Sequence, residues 1–335
     1  MAMRRRGKPR VVAWVVLATG ALALTLPAAA QAAFPGANGR IAFTVEKWRE
    51  PPPLERYGAP EPISSTLETV LPDGRGRRTL RVFPPGHAAY GEPANEPAWS
   101  PGGRLLAFEE AGRLAILRAD GTGLRQLPQL TDSDAEPAWS PDGRRLAFIG
   151  TPSCLYCIWP YTVRTDGTGL RRITNRWAST PAWSPTGMIA FLNRTDRGLY
   201  SVRSDGSRLR RLFGRYWGWG NQPDWSPDGR RIAFSARGRI YTIGANGRGL
   251  RRVSPNLPGN THPAWSPDGK YIAFAHTDYP YGDDDGLFVM RSNGGRMRRV
   301  VEARSTSSNE GVLLEWEVVG TPSWQPLPRR VRSRP

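Results

Sequence analysis

The chain has 335 residues, a formal net charge of +18 and two cysteines. Thirteen tryptophans supply material for a substantial core, and the 37 glycines and 32 prolines recur at patterned positions in turns, which excludes a low-complexity chain. Only three of the 47 basic residues are lysine (Lys8, Lys47 and Lys270), a skew that comes either from a GC-rich genome or from attraction to an anionic partner such as an envelope polymer, a membrane surface or nucleic acid.

Residues 1–32 have the layout of a secretory signal peptide. Arg4, Arg5, Arg6, Lys8 and Arg10 precede an apolar run over 11–25, Pro27 ends the run, and Ala30-Gln31-Ala32 gives the small-x-small pattern for cleavage after Ala32. An uncleaved anchor is the alternative, since the run is nearly long enough to span a bilayer. Cleavage removes five positive charges and no acidic ones, leaving +13. No later apolar run is long enough to span a membrane. The expected location is therefore periplasmic, envelope-associated or secreted, which disfavours a nucleic-acid partner.

The mature chain opens on Asn38-Gly39-Arg40-Ile41-Ala42-Phe43, and a unit of about 40 residues then recurs along it. Its best copy is EPAWSPDGRRLAF at 136–148; relatives begin at Glu96, Thr180, Gln222 and His262. Within each copy a short strand runs to Trp. Ser-Pro-Asp-Gly then makes a turn, because Pro fixes φ, Asp bonds its own backbone and Gly accepts φ > 0. A second strand returns through the Ala-Phe pair. Another strand-turn-strand comes next, as in VRTDGTGLRRIT at 163–174, where Asp-Gly is a strong hairpin signal. Each unit is thus four antiparallel strands, a propeller blade.

The first-strand Trp occurs six times, at Trp99, Trp139, Trp183, Trp225, Trp265 and Trp324. The second strand also occurs six times, at 41–43, 106–108, 146–148, 189–191, 232–234 and 272–274, but displaced by one unit. The two ends complete one blade, which predicts an all-β, six-bladed propeller closed by a blade shared between N- and C-terminal segments. Its other strands are expected at 68–71 and 77–82. The domains read as a signal peptide (1–32), a propeller (33–327) and a basic, disordered tail (328–335). The recurring PAWSPDGxxIAF and DGxxLRRLT resemble the TolB-type, WD-like propeller repeat of exported bacterial proteins. That resemblance covers about 34–326 and implies a scaffold that docks a protein or peptide. The first repeat strand begins just after the leader, so the extra N-terminal domain of TolB is expected to be missing.

Strand alternation puts the Ser-Pro-Asp-Gly and Asp-Gly turns on one face and the remaining connections on the other. The second face carries nearly all length variation (47–64, 83–96, 150–159, 213–222, 277–286 and 303–320) and is the expected working face. Tyr216, Trp217 and Trp219 form either a stacking platform or hydrophobic caps on the blades, and Tyr279 and Tyr281, on the acidic-aromatic loop 277–286, are further candidate binding residues of that face. Asp278, Asp283, Asp284 and Asp285 are a weak candidate for calcium, since a triple Asp lacks EF-hand spacing; no other cofactor is expected. Cys154 and Cys157, in an exported chain with no other cysteine, are expected to form a local disulfide.

The residue before each first-strand Pro changes chemistry around the ring: Glu96, Glu136, Thr180, Gln222, His262 and Thr321. These six are expected at the mouth of the central channel. The arginine pairs of the outermost strands, such as Arg171-Arg172, read as charged edge protection. A non-enzymatic, monomeric interaction module in the envelope or outside the cell is the leading function. Carbohydrate or wall-polymer binding through Trp217, Trp219 and the arginines is an alternative. The other is a small-molecule hydrolase or polysaccharide lyase using His262 with Glu96 or Glu136. No GxSxG nucleophile elbow is present for a peptidase.

Overall fold

The computed structural model describes residues 33–49, 61–83, 96–153, 157–214, 222–255, 258–277, 285–307 and 313–328. Five blades are continuous in sequence, each written here from the inside out. Blade 1 comprises Ala98–Trp99, Leu105–Glu110, Arg113–Arg118 and Arg125–Gln126. Blade 2 comprises Ser133–Trp139, Arg145–Thr151, Trp159–Arg164 and Arg171–Arg172. Blade 3 comprises Ala178–Trp183, Met188–Asn193, Leu199–Arg203 and Arg210–Phe213. Blade 4 comprises Asp224–Trp225, Arg231–Ala236, Arg239–Gly244 and Arg251–Arg252. Blade 5 comprises Asn260–Trp265, Tyr271–His276, Gly286–Arg291 and Arg298–Glu302.

Blade 6 is the shared one. Its innermost strand, Ser323–Leu327, pairs with Ala37–Arg49, and Glu61–Val70 and Arg78–Phe83 complete it. Ile41 lies opposite Trp324, so the expected closure is what forms. Gln325 adds a tie to blade 1, its side chain donating to Gly103 O at 2.8 Å. The innermost strands touch in sequence around the axis, and Ser323–Leu327 contacts those of both blade 1 and blade 5.

Blade 6 also departs from expectation. The connection over 303–320 is not a plain excursion: Ser305–Ser307 pairs with Leu313–Val319, which pairs with the far half of Ala37–Arg49. The strand Ala37–Arg49 runs on to Arg49 beyond its pairing with Ser323–Leu327, and its free edge there takes up this hairpin. Glu61–Ser64, expected in an insertion, belongs to the next strand for the same reason.

The turns obey their residue chemistry. Ser140 Oγ donates to Asp142 Oδ1 at 2.6 Å and accepts from Arg145 N at 2.8 Å, while Gly143 takes φ 68°. Ser226 with Asp228 and Ser266 with Asp268 repeat this arrangement. In blade 3 Thr186 replaces Asp, and its hydroxyl meets Ser184 Oγ at 3.0 Å.

Between blades, two fasteners recur. The first-strand Trp is buried against the preceding blade, and three indoles donate to a main-chain carbonyl there: Trp139 to Ala98 (2.9 Å), Trp225 to Ala182 (3.2 Å) and Trp324 to Ala264 (3.1 Å). On the rim, Arg125, Arg171, Arg210 and Arg251 reach the turn carbonyls of Thr165, Asp205, Asn246 and Asn293 in the next blade, and Arg298 reaches Pro72. The arginine pairs are therefore not only edge protection, because one member of each latches neighbouring blades. Arg172, the second member in blade 2, stacks on the Trp159 ring at 4.4 Å.

Candidate functional site

Proline dictates the backbone geometry at the residues expected to line the channel mouth. It has no N–H for the sheet ladder, so an innermost strand that carries one must break its pairing there. The break is a bulge, between Ala135 and Ala138 in blade 2, Ser179 and Ala182 in blade 3, and Thr261 and Ala264 in blade 5. Within each bulge the residue before Pro adopts positive φ: 59° at Glu136, 55° at Thr180 and 54° at His262. None is glycine, and Thr is β-branched, so the left-handed conformation is strained. Bulges re-aim side chains. Here they do so at three of the six positions singled out by the repeat.

Glu136 is the most perturbed of these. Its carboxylate accepts the Thr180 N–H across the blade 2–blade 3 interface. Burial pushes its pKa up to about 8; the Thr180 N–H and the Arg194 guanidinium pull it down, and Glu109 pushes it up. Glu136 therefore carries a proton at neutral pH. His262 is half-buried, and the protein packed around it lowers its pKa to about 4, so its imidazole is neutral. Gln222 and Thr321 are buried. Gln222 Nε2, His262 Nδ1 and Thr321 Oγ1 have no hydrogen-bond partner among the described residues, and neither does Arg194 Nη1. Buried donors and acceptors are normally satisfied, so each of these calls for an explanation.

Of the predicted site, Glu136 and His262 lie in the bulges within innermost strands, and Glu96 and Gln222 lie two residues before the innermost strands of blades 1 and 4. Tyr216, Trp217, Trp219, Tyr279, Tyr281, Asp278, Asp283, Asp284 and Cys154 lie outside the described residues. Asp285 is described, and its main-chain carbonyl accepts from Ala303 N at 3.1 Å. Cys157 is disulfide-bonded. No group of three or more potential metal ligands occurs among the described residues.

Arg194 and Glu109 were not singled out from the sequence. Both come just after the Ala-Phe pair of a second strand, Glu109 by one residue after Phe108 and Arg194 by three after Phe191. Aligning the repeats would have found Glu109, a charge where blades 2 and 3 carry Ile149 and Leu192. On the turn face, an open cleft of about 440 Å³ lies between blades 2 and 3, lined by Asp142, Arg145 and Trp183 among others. Another of about 280 Å³ lies between blades 5 and 6.

No protein-family model matches the chain, and no curated protein sequence is similar to it. Solved structures are similar in fold. Putative TolB from Agrobacterium tumefaciens aligns at 20% identity over 84% of this chain and 99% of that one, with a TM-score of 0.60. TolB from Acinetobacter baumannii aligns at 19% identity over 86% and 67%, with a TM-score of 0.59. Hydrazine synthase from Kuenenia stuttgartiensis aligns at 14% identity over 87% and 47%, with a TM-score of 0.62. The fold is a TolB-like six-bladed propeller. Proteins of different kinds share it, so the fold alone does not choose a function.

Proposed function

We propose that the protein is an exported, non-enzymatic propeller that docks a protein or peptide segment at the channel mouth on its loop face. One observation carries this reading. Gln222 Nε2, His262 Nδ1 and Thr321 Oγ1 come from three consecutive blades and hold no hydrogen bond among the described residues. An extended backbone laid across the mouth presents alternating N–H and C=O groups that match such a set of donors and acceptors. With Glu136 protonated and His262 neutral, this part of the site favours main-chain groups over a charged side chain. The TolB-like fold is consistent with a docking scaffold. Crosslinking of the exported protein in its native envelope identifies the partner, and titration calorimetry then measures affinity. Gln222→Ala with His262→Ala is expected to weaken binding at least tenfold, about 1.4 kcal/mol, with little change in Tm. Unchanged affinity would place the site elsewhere.

A second reading, a hydrolase or lyase, rests on Glu136 and His262. A protonated Glu136 and a neutral His262 are an acid and a base on blades 2 and 5, which face each other across a six-membered ring. Glu136→Gln separates the readings: it abolishes turnover if Glu136 is the acid and leaves peptide affinity nearly unchanged if the site only binds.

A further inference from the structure

Asp224 breaks the repeat. The residue before the first-strand Trp is Ala98, Ala138, Ala182, Ala264 or Ser323 in the other blades, and only blade 4 places a carboxylate there. It is 1% exposed and faces blade 5, where Oδ2 accepts the Trp265 N–H at 2.5 Å. Oδ1 is buried and has no hydrogen bond among the described residues. Burial raises the Asp224 pKa well above the carboxylate range, and only backbone N–H groups, those of Trp265, Trp225 and Ala33, oppose it. No cationic side chain among the described residues compensates the charge, which makes an ionised Asp224 costly as it stands.

The last of those three groups matters most. Ala33 lies just past the expected cleavage point, and it is buried at 5% exposure in the cluster formed by Ala233, Ile240, Val253 and Trp265. Its nitrogen donates to Trp225 O at 3.3 Å, and Gly36 N donates to Pro267 O at 3.2 Å. Residues 33–36 thus run along blades 4 and 5 before entering blade 6. As an amide, Ala33 has one hydrogen, which Trp225 O at 3.3 Å and the Asp224 carboxylate must share. As an ammonium it has three, leaving two for the carboxylate beside it.

We propose that export processing after Ala32 makes the α-ammonium group of Ala33 the buried counter-ion of Asp224, completing the blade 4–blade 5 interface. Hydrolysis of the peptide bond between residues 32 and 33 consumes one water, leaves a carboxylate on Ala32 and frees the Ala33 amine, which takes up a proton. The new charge lies next to a buried carboxylate that previously lacked one, and the pair forms charge-assisted hydrogen bonds. Removal of the leader is therefore a folding event for the propeller as well as a release.

The test uses protein exported from the full precursor. Intact-mass measurement is expected to give Ala33 as the first residue, and a start elsewhere overturns the proposal. Acylation at pH 7.5 is expected to modify the Ala33 amine at least tenfold more slowly than Lys47 and Lys270, whereas a solvated α-amine reacts faster than lysine because its pKa is about 8. Comparable or faster labelling overturns the pair. A Gly-Ser insertion between residues 32 and 33 converts the Ala33 nitrogen back to an amide. It is expected to lower Tm by about 5 °C or more with Asp224 present and by much less with Asp224→Asn. No loss, or equal losses in both backgrounds, overturns the coupling.

Discussion

The blade interfaces and the channel mouth are built from the same repeat and obey opposite rules. At the interfaces the residue types repeat from blade to blade, although only the indoles of Trp139, Trp225 and Trp324 find a carbonyl and those of Trp99, Trp183 and Trp265 have no hydrogen-bond partner among the described residues. Trp packs on the preceding blade, and the first rim arginine latches the next turn. At the mouth the residue before Pro differs from blade to blade. Glu136, Thr180 and His262 sit in strained bulges, and Gln222 Nε2, His262 Nδ1 and Thr321 Oγ1 have no hydrogen-bond partner among the described residues. Repetition is what a closed ring needs to stay shut; variation and strain are what a site needs to be specific. Fastener variants should therefore lose stability and keep affinity, while mouth variants do the reverse.

Loss of a fastener should matter most. Trp139→Ala removes a buried indole and its hydrogen bond to Ala98, and should cost about 3–5 kcal/mol in denaturant unfolding. A loss below about 1 kcal/mol would mean that the interface is held elsewhere. Partner affinity of the folded fraction should not change.

Titration of the mouth gives an intermediate effect. Glu136 ionises near 4.5 when unfolded and near 8 when folded, so the unfolded chain binds fewer protons in that window and stability falls as pH rises through it. His262 ionises near 6.5 unfolded and near 4 folded, so its contribution is present above 6.5 and is lost as pH falls toward 4. The two oppose each other between 4.5 and 6.5, and only the Glu136 loss remains from 6.5 to 8. There the wild type should lose up to about 1.4 kcal/mol per pH unit, and Glu136→Gln should remove that contribution. Identical thermal pH profiles for the two proteins would show that Glu136 is ionised in the folded state.

The exposed rim should respond least. Arg171→Ala removes one solvent-facing bond to Asp205 O at 2.9 Å and should cost about 0.5–1 kcal/mol. If several rim arginines are removed together, losses that simply add would show each latch acting alone.

The repeat, the six-blade count and the shared blade were legible in the sequence because they depend on local chemistry. Pro-Asp-Gly and Asp-Gly make turns wherever they occur, and a Trp strand missing at one end and present at the other can only be completed by closure. The variable position before the first-strand proline stood out in the sequence for a related reason: one changing residue inside an otherwise constant motif marks itself, and the structure adds that three of the six sit at positive φ. The rim arginines read only as edge charges in sequence, since a guanidinium reaching a carbonyl 34 residues away leaves no local pattern. The hairpin over 305–319 leaves no local pattern either. Its pairing depends on how far the Ala37–Arg49 strand runs past its own blade.

The architecture was written in the amino-acid order, through turn residues, alternation and a period repeated often enough to average out local noise. Which of the repeated positions have perturbed ionisation depends on the packed ring alone. Burial raised the Glu136 carboxyl to about 8 and held His262 neutral, and ring closure brought Arg194 and Glu109 toward Glu136. It also laid Ala33 against Asp224, 191 positions away in the chain. Desolvation and the approach of distant groups are properties of packing, and no window of sequence contains them.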